Sequence, residues 1–453
     1  HNGRRRQRQM CIRDSGSVMH DLAINLKKNG NVVTGSDDKI YEPSKSNLKK
    51  NNLYPKKLGY YKENIAKNLD FVITGMHTKS DNIELQTAKK NRIPIYSYPE
   101  FIRKSSDNKH RIVIAGSHGK TTVTSIIMHV LKKNKIKFDY VIGGRANGFT
   151  SNIKISENPL IIIEGDEYLT SPLDKNPKFL KYDHHIVLLN GIEWDHCNVF
   201  PNKKVYIKQF ESLINKTPKG GEIIYYDGDN NVEKVINDFK NEDVTLKSFN
   251  REKSVIKNNI CYIHNDSNEL VKINIFGKHN LQNLAGSKLV CEQLGIKSKN
   301  FYEAIKSYQL PENRLSLILN KKNKVFRDFA HSPSKLSSTI EAVKKFHKKK
   351  LLVVYELHSS SSFNKKFLKT YKDTLSCSDD SIIYLSESTL KNKKIKKPSI
   401  NEMRSSFNCK KIKYVNDPKK LETLISKKIY INHNKLFMSS GNFDGLNIQK
   451  IVK

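Results

Sequence analysis

Residues 110–133, HRIVIAGSHGKTTVTSIIMHVLKK, constrain the fold more than any other stretch of this chain. The apolar run Ile112–Ala115 reads as a strand buried on both faces. Gly116 and Gly119 then turn the chain, and Val123, Ile126, Ile127, Val130 and Leu131 recur at the spacing of one helix face. Strand, glycine turn and helix together gather backbone N–H groups and the positive end of a helix dipole around one point, which suits a phosphate. A Walker A loop would place a glycine five positions before Gly119, but Ile114 stands there. The expected loop is therefore a short one. Gly116, Ser117, His118, Gly119, Lys120, Thr121 and Thr122 are its candidate nucleotide-binding residues, with Lys120 reaching the terminal phosphates and the Thr121 hydroxyl suited to Mg²⁺.

Similar alternations flank this segment. GSVMHDLAINLKKNG reads as a helix closed by Gly30, followed by the strand NVVTGSDD, the strand LDFVITGM, the helix DNIELQTAKKNR and the strand IPIYSY. After the phosphate loop come NPLIIIEGDE, HHIVLLNGIEWDH and GEIIYYDGD, then a helix over 280–294. A third series holds KVFRDFAHSPSKLSSTIEAVKKF, KLLVVYEL, SIIYLSE and KLFMSSGNFDGL. Repeated β-α units predict an α/β protein of three domains: an N-terminal Rossmann-like domain, a central P-loop ATPase parallel sheet and a C-terminal Rossmann-like domain. The restarts set boundaries at 16–105, 106–310 and 311–453. Residues 1–15 are basic and lack the apolar core of a secretory signal. They read as non-native sequence and are left out of the expected fold.

Composition narrows the function classes. Lys and Arg number 81 against 45 Asp and Glu, a net charge of +36. Beyond residues 1–15 the lysines are spread along the chain without clustered arginines or aromatic platforms, which argues for solvated surface and against a nucleic-acid partner. The six cysteines show no metal-knuckle or CxxC spacing, the expectation for reduced thiols in a cytoplasm. No apolar run is long enough for a membrane span.

In open α/β sheets the C-terminal ends of strands deliver the chemistry. Glu164 ends LIIIE and is followed by Asp166 and Glu167; Glu193, Asp195 and His196 follow IVLLNGI. Acidic residues at two strand ends, in one series with the phosphate loop, suit a magnesium nucleotide. On hardness grounds alone, His196 reads as a general base or polar core residue.

GSHGKTT, EGDE, NGIEWDH and GKHNLQNLAGS, in that order, resemble the Mur ligases, whose phosphate loop has a short form that accounts for Ile114. The resemblance implies ATP-dependent joining of a carboxylate to an amine through an acyl phosphate, with ATP and Mg²⁺. It assigns Lys120 to the β- and γ-phosphates, Thr121 and Glu164 to Mg²⁺, and His196 to a second Mg²⁺. It places Asn280 and Asn283 at the adenine, Arg314 near the phosphates, and Asp328 and His331 of RDFAHSP at the nucleotide. Lys120, Glu164, His196 and Arg314 are the expected catalytic set. Glu211 stands where some members carry a modified lysine, so no carbamylation is expected.

GSVMHDLA and VTGSDD resemble the uridine-nucleotide domain of the branch acting on UDP-N-acetylmuramate, which implicates Gly16, Ser17, Met19 and Asp37 in binding that sugar nucleotide. The leading strand and glycines of that domain would fall at QMCIRDS. Within the branch, the segment YLTSPLDKNPKFLKYDHH and the ending MSSGNFDGL resemble the ligases that recycle a peptide, L-alanyl-γ-D-glutamyl-diaminopimelate, more than those that add alanine in de novo synthesis. Ser332 and ELHSSSSFN depart from both patterns. A folate-polyglutamate ligase would share the loop but lack the N-terminal domain.

Overall fold

A computed structural model describes residues 9–13, 17–359, 361–393 and 395–452. They divide into two compact units, one of His1–Ile192, Ile207–Phe249 and Leu289–Cys291, the other of Glu193–Tyr206, Asn250–Lys288 and Glu292–Lys453.

The first unit holds two sheets. Strands β1 (Gln9–Arg13), β2 (Val32–Ser36), β3 (Phe71–Thr74) and β4 (Ile95–Ser97) are all parallel, in the order β2-β1-β3-β4. β1 corrects the exclusion of residues 1–15 from the fold. β2 and β3 do not pair with each other, so the sheet needs a strand between them, and Met10 stands opposite both Val33 and Phe71. Helix Ser17–Lys28 follows, burying Leu22, Ala23 and Leu26, and Gly30 at φ +85° ends it in the left-handed conformation that glycine adopts without strain.

The second sheet comprises β5 (His110–Ala115), β6 (Asp139–Val141), β7 (Ile153–Lys154), β8 (Leu160–Glu164), β9 (Ile186–Leu189), β10 (Glu222–Tyr226) and β11 (Thr245–Phe249). Its order is β11-β10-β9-β5-β8-β6-β7, parallel throughout except at β7. β5 is central, and Ile112, Val113, Ile114 and Ala115 are fully buried, as continuous apolar runs in a covered parallel sheet require. From β5 the chain runs out past β8 to β6, whereas from β8 it crosses to β9 on the other flank. That reversal opens a crevice at the carboxyl ends of β5, β8 and β9. The two sheets are tied together by bonds to side chains: the Asn152 backbone N–H donates to the Asp21 carboxylate at 2.7 Å, and the Asn29 side-chain amide donates to the Ile155 carbonyl at 2.6 Å. The expected 16–105 domain and the first part of 106–310 thus share one compact unit.

The second unit contains the antiparallel strands β12 (Ser254–Lys257), β13 (Ile260–His264) and β14 (Leu270–Ile273). A six-stranded sheet follows, built from β15 (Ser316–Asn320), β16 (Lys324–Asp328), β17 (Leu351–Glu356), β18 (Asp380–Tyr384), β19 (Lys413–Val415) and β20 (Asn434–Met438). Its order is β15-β16-β20-β17-β18-β19, and only β15 is antiparallel. Side chains alternate between two cores: Val353 and Tyr355 pack with Leu336, Ile340 and Phe407, while Val354 packs with Tyr384, Leu421 and Phe437. Among the described residues no helix is long and apolar enough to cross a membrane.

Candidate active site

The first unit carries the phosphate loop. β5 ends at Ala115, Gly116–Gly119 turn, and helix Lys120–Lys133 begins. Ile114 is a core strand residue, with Glu164 and Leu188 as its register partners. The loop therefore starts two residues later than a Walker A loop would. Gly116 lies at φ +126°, and a Cβ there would sit 3.0 Å from the Asn190 backbone nitrogen. Asn190, at the end of β9, closes the loop from the other side by donating its side-chain amide to the His118 carbonyl at 3.0 Å. The Ser117 N–H donates to the Gly191 carbonyl at 2.9 Å, and Gly119 caps the helix at φ +76°. Ser117, Thr121 and Thr122 are all buried.

Strand β8 supplies the acidic side of the crevice. The Thr121 hydroxyl donates to Glu164 at 2.8 Å, and the Gly143 N–H donates to the other Glu164 oxygen at 2.7 Å. Lys120 donates to the Gly116 carbonyl at 2.8 Å and pairs with Glu167 at 2.5 Å. Burial opposes charge on Lys120, but Glu167, Asp166 and Glu164 outweigh it and raise its pKa. Lys120 is thus a fully charged cation poised at the loop. Thr121 and Glu164 are hard oxygen donors brought together at one strand end, so they fit Mg²⁺. Among the described residues no three His, Cys, Asp or Glu side chains converge as a metal cage.

Beside Glu164 lies a cavity of ≈ 250 Å³, lined by Met76, Tyr98, Asp166, Thr170, Lys178 and Tyr182 among others. Met19 borders both this cavity and a smaller cleft at the end of β2, where Asp37 lies. Ser17 opens its helix, and Gly16 lies outside the described residues.

The second unit holds the remaining expected residues. Asp195 is buried; it accepts the His196 backbone N–H at 2.7 Å and lies 3.8 Å from His331. Burial pushes its carboxyl up, but His196, His331 and Lys335 outweigh that and hold it well below the usual carboxylate range. His196 itself occupies a left-handed backbone position, φ +54°. His331 donates from Nδ1 to the Phe329 carbonyl at 2.9 Å, and burial, reinforced by Lys335, pushes its pKa down to about 3. It is neutral at physiological pH. The Arg314 guanidinium stacks on the Phe329 ring, 4.6 Å from its centre. Asp328 spends its carboxylate on the backbone N–H groups of Leu315 and Ala330, at 2.6 and 2.7 Å, so its visible work is to fix the start of the six-stranded sheet. Asn280 and Asn283 are buried near the start of helix Lys278–Gln293, and Asn280 donates to the Phe276 carbonyl at 2.9 Å.

Three contributors escaped the sequence reading. Glu167 stood in EGDE only as part of an acidic cluster suited to a magnesium nucleotide, not as the partner of Lys120. Asn190 ends an apolar strand, yet only the sheet order shows that this strand neighbours the loop. Glu356 links the two C-terminal motifs: its carboxylate accepts from the Ser439 hydroxyl at 2.5 Å and the Phe443 N–H at 2.9 Å, which joins ELHSSSSFN to MSSGNFDGL.

The sequence matches the family model described as Mur ligase middle domain over residues 114–291. It matches the model described as Mur ligase family, catalytic domain, over residues 11–110, beginning inside β1. Together these spans cover more than half of the chain. The chain belongs to the Mur ligase family. Mur ligases are ATP-dependent carboxylate–amine ligases of peptidoglycan synthesis, and the protein is an enzyme of that class. It is 28% identical over 379 residues to the UDP-N-acetylmuramate–L-alanine ligase of Clostridium botulinum strain Hall, covering 81% of this chain and 79% of the relative. Its fold matches a murein peptide ligase from Psychrobacter arcticus 273-4, with TM-score 0.69 and 21% identity over 98% of each chain. It also matches a UDP-N-acetylmuramate–alanine ligase from Thermotoga maritima, with TM-score 0.72 and 19% identity over 97% and 96% of the two chains.

Proposed function

We propose that this Mur ligase joins a peptide, L-alanyl-γ-D-glutamyl-meso-diaminopimelate, to the carboxylate of UDP-N-acetylmuramate in peptidoglycan recycling. The observation that carries the reading is the segment between β8 and β9. Its Thr170, Lys178 and Tyr182 line the cavity beside Glu164, so the stretch with recycling-type sequence is part of the site. Residues 16–105 bind the sugar nucleotide, 106–310 bind ATP, and 311–453 bind the amino substrate.

Lys120 leaves Glu167 for the β- and γ-phosphates, and the loop N–H groups meet the same oxygens. Thr121 and Glu164 would hold Mg²⁺, which would supply charge to offset the phosphate oxygens. A sugar carboxylate oxygen bonds to the γ-phosphorus as the bond to the β–γ bridging oxygen breaks, and ADP leaves with that electron pair. The peptide amine then attacks the acyl carbon, gives up a proton, and inorganic phosphate departs. His196, Arg314 and His331, with Asn280 and Asn283, serve the nucleotide in this reading.

The test is ADP release with UDP-N-acetylmuramate plus tripeptide, plus alanine, or alone. Turnover with tripeptide is expected. Turnover with alanine alone would instead favour de novo synthesis, the activity in the name of the Clostridium botulinum relative. Lys120→Ala should lower kcat by about 10²–10³-fold, the loss typical of one electrostatic donor to a transition state.

A further inference from the structure

The cavity beside Glu164 has an electrostatic problem that only one residue solves. Glu164 and Asp166 both line it, and among the described residues Lys178 is the only lysine or arginine that does. A carboxylate acceptor entering this space meets two carboxylates of the protein. It needs a cation to stay there.

Lys178 is placed with unusual care for a lysine. Its stem emerges between Pro177 and Phe179, both buried. Phe179 packs on Phe210 with ring centres 5.4 Å apart. The backbone around it is stitched into a small hairpin: the Lys178 N–H donates to the Tyr168 carbonyl at 3.0 Å, and the Thr170 N–H to the Asn176 carbonyl at 2.9 Å. The ammonium reaches Asp166 at 2.6 Å and is mostly buried, while Asp166 is the more exposed partner. Two more groups lining the same cavity are unspent. The Tyr98 hydroxyl and the Thr170 hydroxyl are buried with no hydrogen-bond partner, and Thr170 is only 2% exposed. Burial, with help from Tyr182 and Glu164, raises the Tyr98 pKa well above its ordinary value, so its hydroxyl stays a neutral donor. Buried hydroxyls without partners are costly unless a ligand satisfies them.

We propose that Lys178 binds the carboxylate of the sugar-nucleotide acceptor, while Tyr98 and Thr170 bond neutral polar groups of the same molecule. The proposal rests on the reading that the acceptor is a carboxylate-bearing UDP-sugar. Lys178 makes the site selective for an acid over the matching sugar without one. Asp166 holds the ammonium ready when the site is empty, and Lys120, which does not line the cavity, is left to serve ATP.

Calorimetric titration tests this with two ligands, UDP-N-acetylmuramate and UDP-N-acetylglucosamine, which lacks the carboxylate-bearing ether. The natural chain should prefer the first. Lys178→Met should weaken UDP-N-acetylmuramate about 10- to 100-fold, the worth of one charge-assisted hydrogen bond, and leave UDP-N-acetylglucosamine and ADP unchanged. Lys178→Arg should keep most of the preference, and Lys178→Gln, which keeps a hydrogen-bonding end but no charge, should lose it as Met does. Equal weakening of both sugars, or of neither, overturns the role of Lys178 while leaving the proposed reaction standing. Failure of the natural chain to bind either UDP-sugar overturns both.

Discussion

Lys120 sits among three carboxylates and pairs directly with Glu167, which is 2% exposed. Removing Glu167 takes away the direct hydrogen-bonded partner while Asp166 and Glu164 stay nearby, so the cost should be about 1.5–3 kcal/mol, the range for a hydrogen bond to a charged group. Glu167→Gln should therefore lower the unfolding free energy in the absence of nucleotide. ATP brings its own negative charge to Lys120, so part of that loss should return when ATP is bound. Urea unfolding with and without ATP measures this: the nucleotide-induced gain should be larger in the variant than in the natural chain, and equal gains would remove Glu167 as the resting partner. That Lys120, Thr121 and Glu164 come together was legible because loop and strand end each have a local pattern. Lys178 was not. Its place at the cavity depends on a wall assembled from Tyr98, Glu164 and its own hairpin, and no local pattern encodes that meeting.

Elements buried on both faces were the legible ones. β5, β8, β9 and β17 are continuous apolar runs, and the helix after β5 carries Val123, Ile126, Ile127, Val130 and Leu131 at helical spacing. β12, β13 and β14 went unseen because their residues alternate between buried and exposed in short, charge-rich stretches. β1 was dismissed on composition, whereas its place is set by backbone pairing to two neighbours. One histidine shows how such elements are locked together. His184, just before β9, is 1% exposed and shares a 2.8 Å hydrogen bond with the Thr217 hydroxyl in the turn before β10. Burial lowers its pKa to about 3, against the nearby pull of Asp183. Its unfolded pKa is about 6.5, so the unfolded chain takes up a proton first as pH falls. This contribution is present above pH 6.5 and is lost progressively toward pH 3. Between pH 7 and pH 5 the natural chain should lose about 2 kcal/mol more unfolding free energy than His184→Gln. Parallel losses in the two proteins would mean that His184 is not held neutral.

At the scale of the molecule the α/β class and the run of parallel sheets followed from the repeated β-α pattern. The grouping into two compact units did not, because it depends on contacts such as Asp21 with Asn152 that join segments far apart in sequence. Net charge is the other whole-molecule property, and +36 spread over many surface lysines makes the folded state repel itself. Lys348, Lys349 and Lys350 are three consecutive exposed examples. Compaction concentrates these charges, so unfolding relieves the repulsion, and salt should relieve it in the folded state instead. The unfolding midpoint should therefore climb as sodium chloride is raised from low to physiological ionic strength, by about 1–2 °C for each kcal/mol of repulsion screened. Phosphate should raise it further than chloride at equal ionic strength, because the phosphate loop offers that anion a site at the start of helix Lys120–Lys133. In Lys120→Ala that extra phosphate increment should shrink while the chloride response persists. A midpoint that falls with salt would show that attractive ion pairs, such as Lys120 with Glu167 and Lys109 with Asp139, outweigh the net charge.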